Sequence, residues 1–200
     1  PRIMGAKLPC EPDEAKVEES VISAADCSFE IDGDSGHGGT INGQPTQLGL
    51  LKYKESPVTR RECRVDTGRI VFEGTLAGFG DVKLTYCVSG DSLFCTVEAM
   101  AHDWRPDCAT PYWEDCVYLA HLLPDGAQLL RHSSGFFEPT ERDEFFSPQR
   151  VTVKRPSLSW TLGHGGNLFF KRAGAELRNR LWAYNEISGS FWWSLSVDSA

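Results

Sequence analysis

The tetrapeptide Gly90-Asp91-Ser92-Leu93 could do acyl-transfer chemistry, because it spells the nucleophile block of a serine hydrolase. Such a serine needs an exposed elbow and a histidine base oriented by a carboxylate. Here it stands between two apolar runs, where Gly-Asp is ordinary hairpin chemistry, and no later Asp-x-x-His block follows. The four residues are expected to form a turn. His37-Gly38-Gly39 and His164-Gly165-Gly166 have the form of oxyanion loops, yet Gly33-Asp34-Ser35-Gly36-His37 breaks the Gly-x-Ser-x-Gly elbow at its last position. Both are read as glycine-rich turns, with no partner for either histidine nearby in sequence.

His102, Asp103, Asp107, Cys108, Cys116 and His121 form the densest group of potential metal ligands, but their spacing fits no zinc pattern. No metal site is expected in this chain. Glu138, Glu141, Asp143 and Glu144 crowd one segment, and Glu114 and Asp115 another. Two carboxyls facing across a sugar would suit glycoside hydrolysis, whereas a run of mixed charge reads as a solvated loop. No catalytic set emerges.

The aromatic residues carry more. Tyr112-Trp113, Trp182 with Tyr184, and Trp192-Trp193 exceed what a plain core needs. Successive strand residues face opposite sides, so Trp192 and Trp193 cannot share one core layer. One ring of each pair is expected to face a groove, where it can stack on a sugar. Tyr112, Trp113, Trp182 and Trp193 are the candidates. The same residue types equally suit an interface with another domain.

These residues are held by short β-branched and aromatic runs separated by Gly, Pro, Asn and Asp. Expected strands are 21–31, 58–66, 69–76, 82–88, 92–101, 116–122, 128–132, 150–154, 158–162, 168–172, 177–184 and 191–197. Turn signals every 8–12 residues, with no sustained helical stripe, predict an all-β sandwich of antiparallel sheets. The runs at 83–88 and 93–99 read as a central hairpin covered on much of both faces. Residues 1–19 are a polar lead-in, a linker or an edge covering, and 20–200 one domain.

The chain has 200 residues, with 20 basic and 28 acidic side chains and a formal charge of −8. That balance argues against a sequence-independent grip on nucleic acid. No apolar run reaches the roughly 20 residues of a membrane span. The seven cysteines form no CxxC pair, which suggests a reduced, cytoplasmic setting. Trp192-Trp193-Ser194-Leu195 close to the C-terminus, and the absence of an initiator Met, suggest a piece of a longer protein.

The order of blocks resembles the C-terminal β-domain of α-mannosidases of glycoside hydrolase family 38. Residues 27–41 are similar to that domain's first strand and turn, and Glu55-Ser56-Pro57-Val58 to its Ser-Gly-Pro-Val strand, without the Gly. The hairpin 84–98 closing on His102-Asp103-Trp104 resembles the next strand pair. Pro111-Tyr112-Trp113 with Tyr118-Leu119-Ala120, and finally 165–180 and 189–198, resemble later segments. The resemblance implies a large supersandwich like that of galactose mutarotases. It also implies a non-catalytic role: packing against a separate catalytic α/β barrel, which would hold the zinc and the carboxylates, and walling a mannoside-type glycan site. Two alternatives differ in class. One is a freestanding carbohydrate-binding module using Trp113, Trp182 or Trp193. The other is a mutarotase- or lyase-like enzyme with His102, His121 or His132 as acid/base facing a carboxylate.

Overall fold

Strands arise wherever β-branched and aromatic residues alternate with polar ones, and glycine or Asx turns end them. In the computed structural model, residues 7–24, 26–102, 117–132, 145–146, 150–165, 170–180 and 188–198 are described. Among them there is no helix. The strands, in chain order, are β1 (Lys16–Glu18), β2 (Val21–Ala24), β3 (Cys27–Ile31), β4 (Gly38–Ile41), β5 (Gln44–Leu48), β6 (Leu50–Tyr53) and β7 (Ser56–Pro57). There follow β8 (Thr59–Asp66), β9 (Arg69–Leu76), β10 (Gly80–Ser89), β11 (Ser92–Ala101), β12 (Val117–Leu122) and β13 (Gln128–His132). The last are β14 (Phe145–Phe146), β15 (Arg150–Lys154), β16 (Trp160–Gly165), β17 (Phe170–Ala173), β18 (Glu176–Arg180) and β19 (Ser188–Val197).

All pairings are antiparallel. The largest sheet has eight strands in the order β13-β15-β16-β19-β11-β10-β9-β8, a second has six (β14-β17-β18-β12-β6-β7) and a third five (β1-β2-β3-β4-β5). Gly49, at φ +72°, joins β5 to β6 and so carries the chain from the five-stranded to the six-stranded sheet. Both smaller sheets lay their apolar faces on the eight-stranded one. Phe29, Ile31 and Ile41 from the five-stranded sheet, Leu51, Leu119 and Leu177 from the six-stranded sheet, and Phe72, Leu84 and Trp193 from the eight-stranded sheet belong to one core. The expected all-β antiparallel sandwich is what forms.

The strand list from sequence agrees for 69–76, 92–101, 128–132 and 150–154 and differs elsewhere in informative ways. The run 21–31 is two strands rather than one. Residues 38–53, left without strands, hold β4, β5 and β6. Lys16–Glu18, within the polar lead-in, pairs with β2 as an edge strand. Just before it, Asp13 N–H bonds the Val88 carbonyl at 2.9 Å and its carboxylate accepts Gly90 N–H at 2.7 Å. The lead-in is thereby tied to the β10–β11 hairpin. Gly90-Asp91 is the turn of that hairpin, with Ser89 opposite Ser92, and Ser92 is no nucleophile elbow.

Candidate functional site

On the outer side of the eight-stranded sheet, strand pairing aligns side chains into rows. Thr152, Thr161, Ser196, Ser92 and Ser89 stand opposite one another on five successive strands. The adjacent row runs Arg150, Gly163, Ser194, Phe94, and the next Gly165, Trp192, Thr96, Thr85. The alternation of β19 explains this: Phe191, Trp193 and Leu195 are buried, while Trp192, Ser194 and Ser196 face outward and are half-buried.

A shallow groove of about 240 Å³ lies here, lined by Arg150, Trp192, Ser92, Ser194, Ser196 and Thr161, with Pro9 of the lead-in at its margin. The Trp192 indole lies across Gly165 of the neighbouring strand, where a Cβ would come within 2.1 Å of its Nε1. Phe94 meets it edge-on, ring centres 5.7 Å apart. Glycine on one side and phenylalanine on the other hold the ring against the sheet. Thr161 donates to Asp198 at 3.0 Å and lies 2.7 Å from the Thr152 hydroxyl, so Thr152 donates to Thr161. An aromatic plane beside a row of hydroxyls and one guanidinium is a surface for polar rings with apolar faces.

Trp193 is not part of it. That ring is 1% exposed, inside the core, edge-on to Tyr86 at 6.1 Å and to His121 at 5.3 Å. The expectation that Trp193 faces a ligand is corrected: of the adjacent pair, Trp192 is the outward one. The sequence carries the signal, because Trp192 shares its parity with Ser194 and Ser196, whereas Trp193 shares its own with Phe191 and Leu195. Tyr112, Trp113 and Trp182 lie outside the described residues, as does Tyr184.

Three of the described histidines, His121, His37 and His102, fall into different situations, while His164 is buried on β16 edge-on to Phe170. His121 is fully buried, its Nδ1 accepting Gly49 N–H at 3.0 Å and its Nε2 at 2.8 Å from Asn179 Oδ1. Both contacts together fix the neutral Nε2–H tautomer. Burial pulls its pKa down to about 4, partly offset by the Asn179 bond. With both nitrogens engaged, and no carboxylate in contact among the described residues, His121 serves as a core clasp.

His37 does have a sequence-local partner, contrary to expectation: its Nδ1 is 2.6 Å from Ser35 Oγ, which donates to Asp32 Oδ1 at 3.1 Å. The single serine proton goes to the carboxylate, so the imidazole donates through Nδ1–H and takes no proton from Ser35. A base-activated serine needs the reverse. Asp32 also accepts the N–H groups of Asp34 (2.8 Å) and Ser35 (3.0 Å). Desolvation raises its pKa, but these bonds and His37 outweigh that and leave it below the usual range. Burial lowers His37, against the Asp32 charge, and keeps it neutral near pH 7. The constellation locks the β3–β4 turn.

His102 does face a carboxylate, with Nε2 at 2.9 Å from Asp81 Oδ2. Its side chain is 58% exposed, and Asp81 is shared with Arg61 at 2.9 Å. The His102 bond, with smaller help from Arg61 and Thr75, holds Asp81 below the usual range. This pair stands at a solvated sheet end away from the groove. The His132 side chain lies outside the described residues, as do Asp103, Asp107, Cys108, Cys116 and the acidic segments around 114 and 138–144. Among the described residues no group of three or more His, Cys, Asp or Glu is placed to hold a metal.

No family model matches the chain, and no curated protein matches it. Among solved structures it is similar to the crystal structure of the Slr1438 protein from Synechocystis sp. PCC 6803, at 12% identity and a TM-score of 0.49, over 98% of each chain.

Proposed function

We propose that this β-sandwich is a non-catalytic carbohydrate-binding domain whose ligand stacks on Trp192. The observation that carries the reading is the seating of that indole: laid across Gly165, braced by Phe94, half-exposed, and beside Ser194, Ser196 and Ser92. A pyranose ring presents axial C–H groups on one face and hydroxyls around its rim. The indole would take the C–H face, and the hydroxyls of Ser194 and Ser196, each both donor and acceptor, would take the rim. The sequence resemblance to α-mannosidase β-domains suggests mannosides as the sugar class and a larger hydrolase, with a zinc-bearing catalytic barrel, as the setting.

The test is titration of the chain with α-linked mannobiose, followed by tryptophan fluorescence and calorimetry. Saturable quenching or a spectral shift is expected, and W192A should abolish it while W193F keeps it. A wild-type chain whose fluorescence and heat do not respond removes the reading. Dependence on W193F but not on W192A would move the site elsewhere.

A further inference from the structure

Among its described lining residues the groove holds one guanidinium, that of Arg150. It is exposed, and among the described residues no carboxylate pairs with it. Four other arginines are paired: Arg60 meets Asp34, Arg61 meets Asp81, Arg64 meets Glu62 and Glu73, and Arg178 meets Glu55 and Glu176, whereas Arg69 and Arg155, like Arg150, meet no carboxylate among the described residues but lie outside the groove. What sets Arg150 apart is its place, in one groove with the aromatic plane of Trp192 and with no carboxylate among the described lining residues. The hydroxyl-bound carboxylate of this face, Asp198, is held by Thr161.

Register places the two groups for one ligand. Arg150 is opposite Gly163, Gly163 opposite Ser194, and Gly165 opposite Trp192. Arg150 and Trp192 are therefore two strands apart and two residues apart along the strand direction, about 12 Å between Cα atoms from ordinary sheet spacings. Gly163 and Ser194 form the low floor between them. Two linked sugar rings span that distance, one on the indole and the next with its substituent at the guanidinium. A planar fork of N–H donors matches a carboxylate or a sulfate ester in a bidentate way, which a neutral hydroxymethyl group cannot exploit.

We propose that the groove selects an anionic saccharide, its carboxylate or sulfate bound by Arg150 and the neighbouring ring stacked on Trp192. This rests on the carbohydrate reading above and adds the charge of the ligand. Four probes separate the possibilities: mannobiose, a mannuronate disaccharide, the methyl ester of that disaccharide, and a sulfated mannobiose. The expected result is that at least one anionic probe binds tenfold or more tighter than its neutral counterpart. That ratio should shrink toward one in R150Q and as salt rises from 20 to about 300 mM. Which anion prevails, uronate or sulfate, identifies the group. R150Q alters an exposed side chain, and an unchanged melting temperature checks that it folds.

If neutral and anionic probes bind within twofold of each other, the charge inference falls while the carbohydrate reading stands. If an anionic preference survives R150Q undiminished, Arg150 is the wrong residue and the inference is likewise overturned. If no probe binds or perturbs Trp192, both readings fall together.

Discussion

The indole of Trp193 occupies the place where a side chain on Gly49 would stand: a Cβ there would lie 2.3 Å from Cζ2 of the ring. Gly49 is also at φ +72°, a conformation L side chains rarely adopt. Its N–H is bound by His121, whose ring packs on the same indole. One glycine thus turns the chain between two sheets, admits a buried tryptophan of the eight-stranded sheet, and anchors the core histidine.

G49A is therefore expected to be severe. Overpacking against a buried ring and left-handed strain add up to about 3 kcal/mol or more. For a chain of this size that lowers the melting temperature by roughly 6–12 °C. Thermal melts of wild type and G49A, followed by near-ultraviolet circular dichroism, check it. A loss under about 1 kcal/mol would mean that Trp193 has room to move.

The His121 clasp sets a pH dependence. Folding lowers its pKa from 6.5 to about 4, so the unfolded chain binds the extra proton first as pH falls. The stability contribution is complete above about pH 7 and declines as pH drops through 6.5 toward 4. Between pH 7 and pH 5 the loss attributable to this group is about 2 kcal/mol. Urea melts at both values should show it, and H121Q should lose less stability over the same interval. Lowered His37 contributes in the same direction, so the comparison with H121Q isolates the core residue.

How much of this was legible in the sequence differs by region. The hairpin of β10 and β11 was readable, because apolar runs flank an unmistakable Gly-Asp turn. The stretch 38–53 lacks a clear strand pattern, although Asn42-Gly43, at φ 49° and 76°, is the strongest two-residue hairpin signal. Its flanks, Gly38-Gly39-Thr40 and Gln44-Pro45-Thr46, have low strand propensity and are strands through pairing with β3 and through the burial of Ile41 and Leu48. At the site, the pair Trp192-Trp193 is conspicuous in the sequence, but Trp193 is the buried ring and Trp192 the outward one. Parity along β19 holds the answer. His121 was beyond local reading, since its partners Gly49 and Asn179 are 72 and 58 residues away.

A second hairpin turn offers a stabilising change. Lys54 and Glu55, between β6 and β7, sit at φ 47° and 64°, a mirror-image turn built without Asn or Gly. Glu55 compensates by receiving the Arg178 guanidinium at 3.2 Å and 3.5 Å. Lys54 lays its ammonium over the Tyr53 ring, 5.3 Å from the centroid. K54N should relieve the strain and raise stability by about 0.5–1 kcal/mol. The E55G change at the next position should gain less, because it discards the Arg178 contact. Chemical denaturation of both variants decides the order.

Gly165 invites the companion experiment to Gly49, with the opposite outcome. A Cβ there would meet the Trp192 indole at 2.1 Å, as close an encounter as at Gly49. Gly165, however, has no positive φ, and Trp192 is half-exposed on the outer face. The ring can swing toward solvent without opening the core. G165A is thus expected to cost no more than about 1 kcal/mol, chiefly from the lost contact with Phe94. It should nonetheless red-shift the tryptophan emission as the indole becomes wetter, and weaken mannobiose binding tenfold or more. A variant that keeps its fold and its core tryptophans but loses the sugar would separate the ligand face from the scaffold. Unchanged binding in G165A, with the red shift present, would show that the seat of the indole does not matter for recognition.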